Sequence, residues 1–322
     1  MKKQHNPLSV TKRGRLNIIT ECPAVLVMIA LIVVCSIYSS TFYSYKNLMN
    51  ILMQSTVTGI MAVGMTLLVI NGHFDLSLGV TMAMAAMITA KLQNIGIVPA
   101  ILIAILASII VGLINGVFIV KFKINCFIVT LAMMMIIRGI NYLISEKGLV
   151  LKNSSLRSLA KGNIGGVYYY TFILIIVIAI AEFLIRRTRH GRNTFAIGGN
   201  AEFARNVGIN VNKVTILNFI IASTIGGAAG VLQLARQSSA TPLMGYPNTA
   251  MDVLACVVLG GTKLSGGYGG MYKTLAGVLT MQLVQNGMNM LKCSSQMQDI
   301  VSGVVLILII AFDRYNGLKK KA

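Results

Sequence analysis

Tryptophan is absent from this 322-residue chain, and only eight residues are acidic against 28 lysines and arginines. Without tryptophan, any aromatic belt at a membrane interface falls to tyrosine, and Tyr38, Tyr43, Tyr45 and the run Tyr168, Tyr169, Tyr170 are placed for it. Charge of either sign is scarce. With 11% charged and 56% hydrophobic residues and a mean hydropathy of +0.77, a soluble globular protein of ordinary composition is excluded. The five cysteines include no CxxC pair and mostly lie in or beside apolar runs, so they read as small buried hydrophobes rather than disulfide or metal partners. No cluster has metal-ligand spacing, and no nucleophile stands with a histidine and an acid in a catalytic set. No Gly-Lys pair occurs, which excludes a GxxxxGK[ST] phosphate loop and ATP binding by that route.

What the sequence has in abundance is apolar runs of about 18 residues or more, the length that crosses a bilayer as a helix. A cationic tail, 1–22, carries Lys2, Lys3, Lys12, Arg13 and Arg15; it is long for a signal peptide, and no clean small-x-small cleavage site follows, so Pro23 opens an uncleaved first span. Further spans read at roughly 51–70, 76–92, 97–119, 124–145, 168–186, 214–234, 248–261, 272–290 and 297–312. The expectation is an all-α polytopic membrane bundle of about ten transmembrane helices, one domain over 23–315, both termini cytoplasmic, and a basic tail at 316–322. With that topology 19 of the 28 basic residues face the cytoplasm, eight face outward and Arg138 lies within a span, as the positive-inside rule requires. Because the charges sit in loops and tails rather than on one face, the net charge of +20 argues for membrane topology and not for nucleic acid.

The longest polar interruption of the second half, 186–213, opens with Arg186, Arg187, Arg189 and Arg192 directly after an apolar run, at the cytoplasmic end of a span. Within it Asn200 is placed as an N-cap, Glu202 as a first-turn acid and Gly208 as a terminator, which predicts a helix over Ala201 to Val207. Seven residues do not hold a helix in water, where roughly 12 to 15 are needed, so something must pack on it. Phe203 and Val207, spaced i and i+4, form the face that a partner would hold; a surface loop held by its own protein is the competing reading.

Other stretches point to packing or to a solute path. Between two spans, NGHFDLSLG (71–79) places Asp75 at a helix junction, either as a cap or as part of a path lined by protein and water. Gly112 and Gly116 form a GxxxG pair that lets helix backbones approach. Arg138, costly in hydrocarbon, suits a place near the outer mouth, and the methionines at 133 to 135 suit packing. The external segment 145–167 has room for a short surface helix. Glycine doublets at 226–227, 260–261, 266–267 and 269–270 predict tight crossings and short or broken helices.

Four stretches, LLVINGHFDLSLGV (67–80), GLINGVFIVKFKINCFIVTLAMMMIIRGI (112–140), RNTFAIGGNAEFARNVGINV (192–211), and MDVLACVVLGGTKLSGGYGG (251–270) with a later AFDR (311–314), resemble the permease subunits of bacterial ATP-binding-cassette sugar importers of the ribose/xylose/galactoside class. The resemblance runs from about residue 45 to 315. It departs at His73, where the family has a glycine, at Cys126, where it has a helix-start proline, and at Ala250, where it has a glutamate. The resemblance implies a subunit of the bacterial cytoplasmic membrane that pairs with a second copy or paralogue and translocates a monosaccharide or similar small polar solute. It implies no ATPase site and no cofactor in this chain. ATP and Mg act through partner ATPase subunits docked on Gly199, Asn200, Glu202, Phe203, Ala204, Val207 and Gly208, while an extracytoplasmic binding protein delivers the solute. Candidate path-lining groups are Asn71, Asp75, Ser77, Asn115, Asn286 and Asn289. A furanosyl signalling molecule, a nucleoside or a branched-chain amino acid are alternative solutes. An ion-coupled secondary transporter, the alternative class, would need paired intramembrane acids where this chain has isolated Asp75 and Asp252.

Overall fold

The computed structural model describes residues 42–304 and Ile307. The tail 1–22, the expected first span, the end of the expected last span and the basic tail 316–322 lie outside the described residues. The described chain is a bundle of helices with two short two-stranded ribbons. In order these are α1 (Tyr45–Ile70), α2 (Leu78–Leu92), α3 (Ile97–Lys121), α4 (Cys126–Ile144), β1 (Leu149–Val150), α5 (Ser154–Lys161), β2 (Asn163–Ile164), β3 (Val167–Tyr168), α6 (Tyr169–Arg187), α7 (Arg189–Gly199), α8 (Ala201–Asn206), α9 (Val211–Gln237), β4 (Ser239–Ala240), α10 (Thr249–Leu259) and α11 (Met271–Met290). Residues 295–304 begin a further helix.

Five of these, α1, α3, α4, α6 and α9, are long and apolar enough to cross a membrane. The expected spans at 76–92 and 248–261 appear as helices of 15 and 11 residues. At 1.5 Å per residue those reach roughly 22 and 16 Å, short of the roughly 30 Å hydrocarbon core. Both are sheltered inside the bundle: α2 is buried from Leu78 through Met87, and α10 from Val253 to Leu259. The broken-helix expectation for the glycine-rich region thus takes the form of a short α10, stopped where Gly261 turns with φ 89°.

Helix α1 is buried along most of its length and packs on α6, α9, α10 and α11. Helix α3 shows the opposite arrangement. Ala100, Ala104, Ser108, Val111, Asn115 and Ile119 recur at helical spacing on its buried face, while Leu102, Leu106, Ile110, Leu113 and Phe118 are exposed, as a lipid-facing surface requires. The GxxxG pair does bring backbones together. A Cβ on Gly112 would stand 2.5 Å from the Phe219 carbonyl oxygen and one on Gly116 2.9 Å from the Ile216 Cα, both on α9. Gly112→Leu is therefore expected to cost about 2 kcal/mol or more. Gly139→Ala, where an added Cβ meets nothing within 4 Å, should be neutral or stabilising. Thermal unfolding in detergent, followed by loss of the monodisperse chromatographic peak, separates the two.

Contacts between connections define the two ends of the bundle. At one end β1 pairs antiparallel with β4, and Gln93 holds the same loop, its Nε2 donating to the Val150 carbonyl at 2.9 Å and its Oε1 accepting from the Lys152 N–H at 2.6 Å. Helix α5, capped by Asn153, is the short surface helix expected in 145–167. At this end Arg138 donates to the Tyr246 hydroxyl at 3.1 Å and its guanidinium lies 4.3 Å from that ring's centroid. At the opposite end three connections meet: 71–77, α7 with α8, and 260–270. The Gly267 N–H donates to the Ile70 carbonyl at 2.9 Å, and the Met271 N–H to Glu182 Oε2 at 2.7 Å. Connections expected on one face of the membrane, 71–77, 186–213 and 261–271, are the ones gathered here.

Candidate functional site

The end that gathers these three connections carries the segment 186–213, which folds as a helical hairpin rather than as a loop with one short helix. Thr188 Oγ1 accepts from the Gly191 N–H and opens α7, eleven residues long, and Asn200 ends α7 and starts α8. Asn200 Oδ1 accepts from the Phe203 N–H at 2.9 Å, and Glu202 lies in the first turn of α8. At the far end Gly208 adopts φ 85°, its N–H donating to the Arg205 carbonyl and that of Ile209 to the Ala204 carbonyl, both at 3.0 Å. This pair of bonds is a Schellman closure, which needs the left-handed residue that glycine supplies.

Helix α8 is anchored through Ala204, fully buried against Ile197, Val214, Ile209 and Val211. Its other side points away from the bundle: Phe203 is 64% exposed and Val207 58%, with Glu202 and Arg205 also exposed. The helix is thus held by its own protein on one side and presents two large apolar residues on the other. Of the two glycines that end α7, Gly199 has open space around an added Cβ, whereas one on Gly198 would overlap the Ile70 carbonyl oxygen and approach the Gly267 nitrogen to 2.5 Å. Gly266 and Gly267, with φ 82° and 71°, complete this crossing against Gly198, Gly199 and Gly72. Gly198 was hidden in the sequence behind the equivalence of two adjacent glycines.

Four expected polar residues are buried at the same end, and three of them, Asp75, Ser77 and Asn115, form one hydrogen-bonded cluster. Asp75 Oδ1 accepts from the Ser77 N–H at 2.8 Å and from its hydroxyl at 2.6 Å; Asn115 Nδ2 reaches Asp75 Oδ2 at 3.4 Å and Ser77 Oγ at 3.0 Å. Asn71 Nδ2 donates to Thr215 Oγ1 at 3.0 Å, which ties this junction to α9. The cluster braces the start of α2 against α3, and Oδ1 of Asn71 and of Asn115 is left without a partner. Asn286 and Asn289 are elsewhere: Asn286 exchanges two hydrogen bonds with Asn47, at 2.8 and 3.1 Å, and Asn289 accepts from Gln298 at 2.8 Å.

None of these six residues lines the polar cavity of about 370 Å³ that lies towards the β1–β4 end, between α1, α9, α10 and α11. Its walls carry Gln54, Gln233, Arg236, Asp252, Gln282 and Gln285 above an apolar floor that includes Met61 and Cys256, and Thr241, Met244 and Gly245 of the β4–α10 connection border it. Gln282 Nε2 donates to Gln285 Oε1 at 3.2 Å and lies 3.4 Å from Thr58 Oγ1. A signal for these groups exists in the sequence: Gln233 with Gln237, and Gln282 with Gln285, stand four and three apart in otherwise apolar runs, so each pair shares a helix face.

A bundle of membrane-length helices that encloses a polar cavity near one end and displays two exposed apolar side chains, Phe203 and Val207, at the other fits an α-helical membrane transport protein. Comparison with known proteins agrees. The chain belongs to the family described as branched-chain amino acid transport system / permease component, whose profile matches residues 47–310. It is 35% identical over 300 residues to the ribose import permease protein RbsC of Escherichia coli K12, covering 91% of this chain and 93% of that one. It is 33% identical over 300 residues to the L-arabinose transport system permease protein AraH of the same organism, covering 92% and 90%. The RbsC of Bacillus subtilis is 33% identical over 289 residues, covering 88% and 89%. No solved structure matches the chain.

Proposed function

We propose that this protein is the membrane-spanning permease of an ATP-driven importer that moves a monosaccharide, a ribose-like pentose or a hexose, across the bacterial cytoplasmic membrane. The observation that carries the reading is the cavity of about 370 Å³, walled by amides, hydroxyls and the oppositely charged Arg236 and Asp252 inside a bundle whose outer surface is apolar. A volume of this order suits a small ligand, and a lining rich in hydrogen-bonding groups with no net charge suits a solute that carries hydroxyls and no net charge. The names of the ribose and arabinose permeases that align along nearly the whole chain support the same solute class.

In this reading the β1–β4 end faces outward and receives the solute from a binding protein, and the hairpin end faces the cytoplasm. Cytoplasmic ATPase subunits dock on α8 through Phe203 and Val207, with Gly199, Asn200, Glu202, Ala204 and Gly208 shaping and holding that helix. ATP and Mg act there, in the partner. A second copy of the permease or a paralogue completes the pathway. Asn71, Asp75, Ser77 and Asn115 border its inner end and Asn286 and Asn289 its outer end, becoming accessible when the bundle switches between its outward and inward states.

The test is uptake into proteoliposomes holding the permease with its ATPase and binding protein. Radiolabelled ribose or arabinose is expected to accumulate with ATP and not with a proton or sodium gradient alone. Gradient-driven uptake without ATP would show a secondary transporter instead.

A further inference from the structure

The cavity at the β1–β4 end brings together several polar groups that have no hydrogen-bond or ion-pair partner among the described residues. Arg236 on α9 and Asp252 on α10 both line it, yet the ion pair found among the described residues is Arg186 with Glu182, at the opposite end. Asp252 instead lies within electrostatic reach of another carboxylate, Asp299. Gln233, three residues before Arg236, has a buried Oε1 with no hydrogen-bond donor. Some comparable groups elsewhere in the bundle are answered, Asn47 by Asn286, Thr66 by Thr274 and Asp75 by Ser77, while others, such as Asn141 Oδ1 and Thr262 Oγ1, are not. Charges that face an opening in a membrane-embedded bundle without an ion pair are costly, and Arg236, Asp252 and the Gln233 oxygen around one cavity mark a place that a ligand completes.

The lining dictates what that ligand is. A carboxylate accepts from two neighbouring hydroxyls; a guanidinium donates to hydroxyl or ring oxygens; the free Gln233 oxygen takes one more hydroxyl proton. Because the two charges are opposite, a solute with net charge gains from one and loses to the other, whereas a neutral polyol hydrogen-bonds to both. Among the described residues no aromatic ring lines the cavity, so recognition there rests on hydrogen bonds. Resting on the importer reading, we propose that Arg236, Asp252 and Gln233 form a recognition site within the permease that selects neutral solutes bearing adjacent hydroxyls, a selectivity step additional to that of the binding protein.

Thr249, in the first turn of α10, lines the same cavity and supplies the probe. In the full-length permease with its ATPase in nanodiscs, T249C is modified by a small methanethiosulfonate and followed by peptide mass spectrometry, without binding protein. Ribose or arabinose is expected to slow modification, and the corresponding sugar acid to leave it unchanged. Adding D252N or R236Q should raise the half-protecting sugar concentration about tenfold or more, the loss of one hydrogen bond to a charged group. Equal protection by sugar and sugar acid, or an unchanged half-protecting concentration in both variants, would overturn the site; the first comparison needs no substitution at a charged residue. Protection without ATP-driven uptake would sustain the site and sink the importer reading, whereas uptake without protection would do the reverse.

Discussion

Phe203→Asp is expected to remove the ATPase from the complex while the permease still inserts and keeps its chromatographic profile. The side chain is 64% exposed on a helix whose buried residue, Ala204, faces the other way, so the substitution disturbs nothing that holds the bundle. An apolar anchor of this size at the centre of a small docking surface contributes about 2 to 4 kcal/mol to association, or roughly 30- to 1,000-fold in affinity. Val207→Asp, on the same face, should act in the same direction. Co-purification of tagged permease with the ATPase reads both, and undiminished recovery of the ATPase with either variant would show that the docking face lies elsewhere.

The second large effect is a contrast between neighbours. Gly198→Ala puts a methyl group where the Ile70 carbonyl stands, and backbone cannot yield as a flexible side chain can; Gly199→Ala meets open space. Overpacking of this kind costs about 1 to 3 kcal/mol, occasionally more. The crossing is also where the hairpin touches both the 71–77 junction and the 260–270 connection, so the expected result at Gly198 is transport lost or cut at least tenfold at equal membrane abundance, against near-normal transport for the Gly199 variant. Sugar-uptake rates normalised to immunoblotted protein give the ratio. Equal rates would mean that force does not pass through this crossing.

The amino-acid sequence made the hairpin legible because its signals are local. Asn200, Glu202 and Gly208 each act on backbone within a few residues, and the structure contains the cap, the first-turn acid and the left-handed closure where that chemistry puts them. The GxxxG crossing was legible for a similar reason, two residues one turn apart leaving a flat surface, though nothing in the sequence named α9 as its partner. Helix α7 was less legible: RHGRNTFAIGG has three glycines and no apolar stripe longer than two turns, and packing against α6 and α9 overrides those poor propensities. The cavity was least legible of all. Its walls come from residues up to 231 positions apart, Gln54 and Gln285, and an amide in an apolar run reads the same whether it faces a neighbour, as Asn286 does, or an opening, as Gln285 does. Asp75 carries the same ambiguity in the sequence, and in the structure its carboxylate is answered by Ser77 and Asn115 within a packed cluster.

The shortness of α2 and α10, and the absence of α11 from the helices apolar enough to cross on their own, bears on how the protein is made. A segment leaves the insertion machinery for lipid in proportion to its own hydrophobicity, and amides such as Gln282 and Gln285 oppose that step. Helices α3, α4 and α6, with apolar outer faces, partition as they emerge. Among the segments that wall the cavity, α10 and α11 follow α3, α4 and α6 in the chain, so they are expected to enter a membrane in which lipid-facing neighbours already stand.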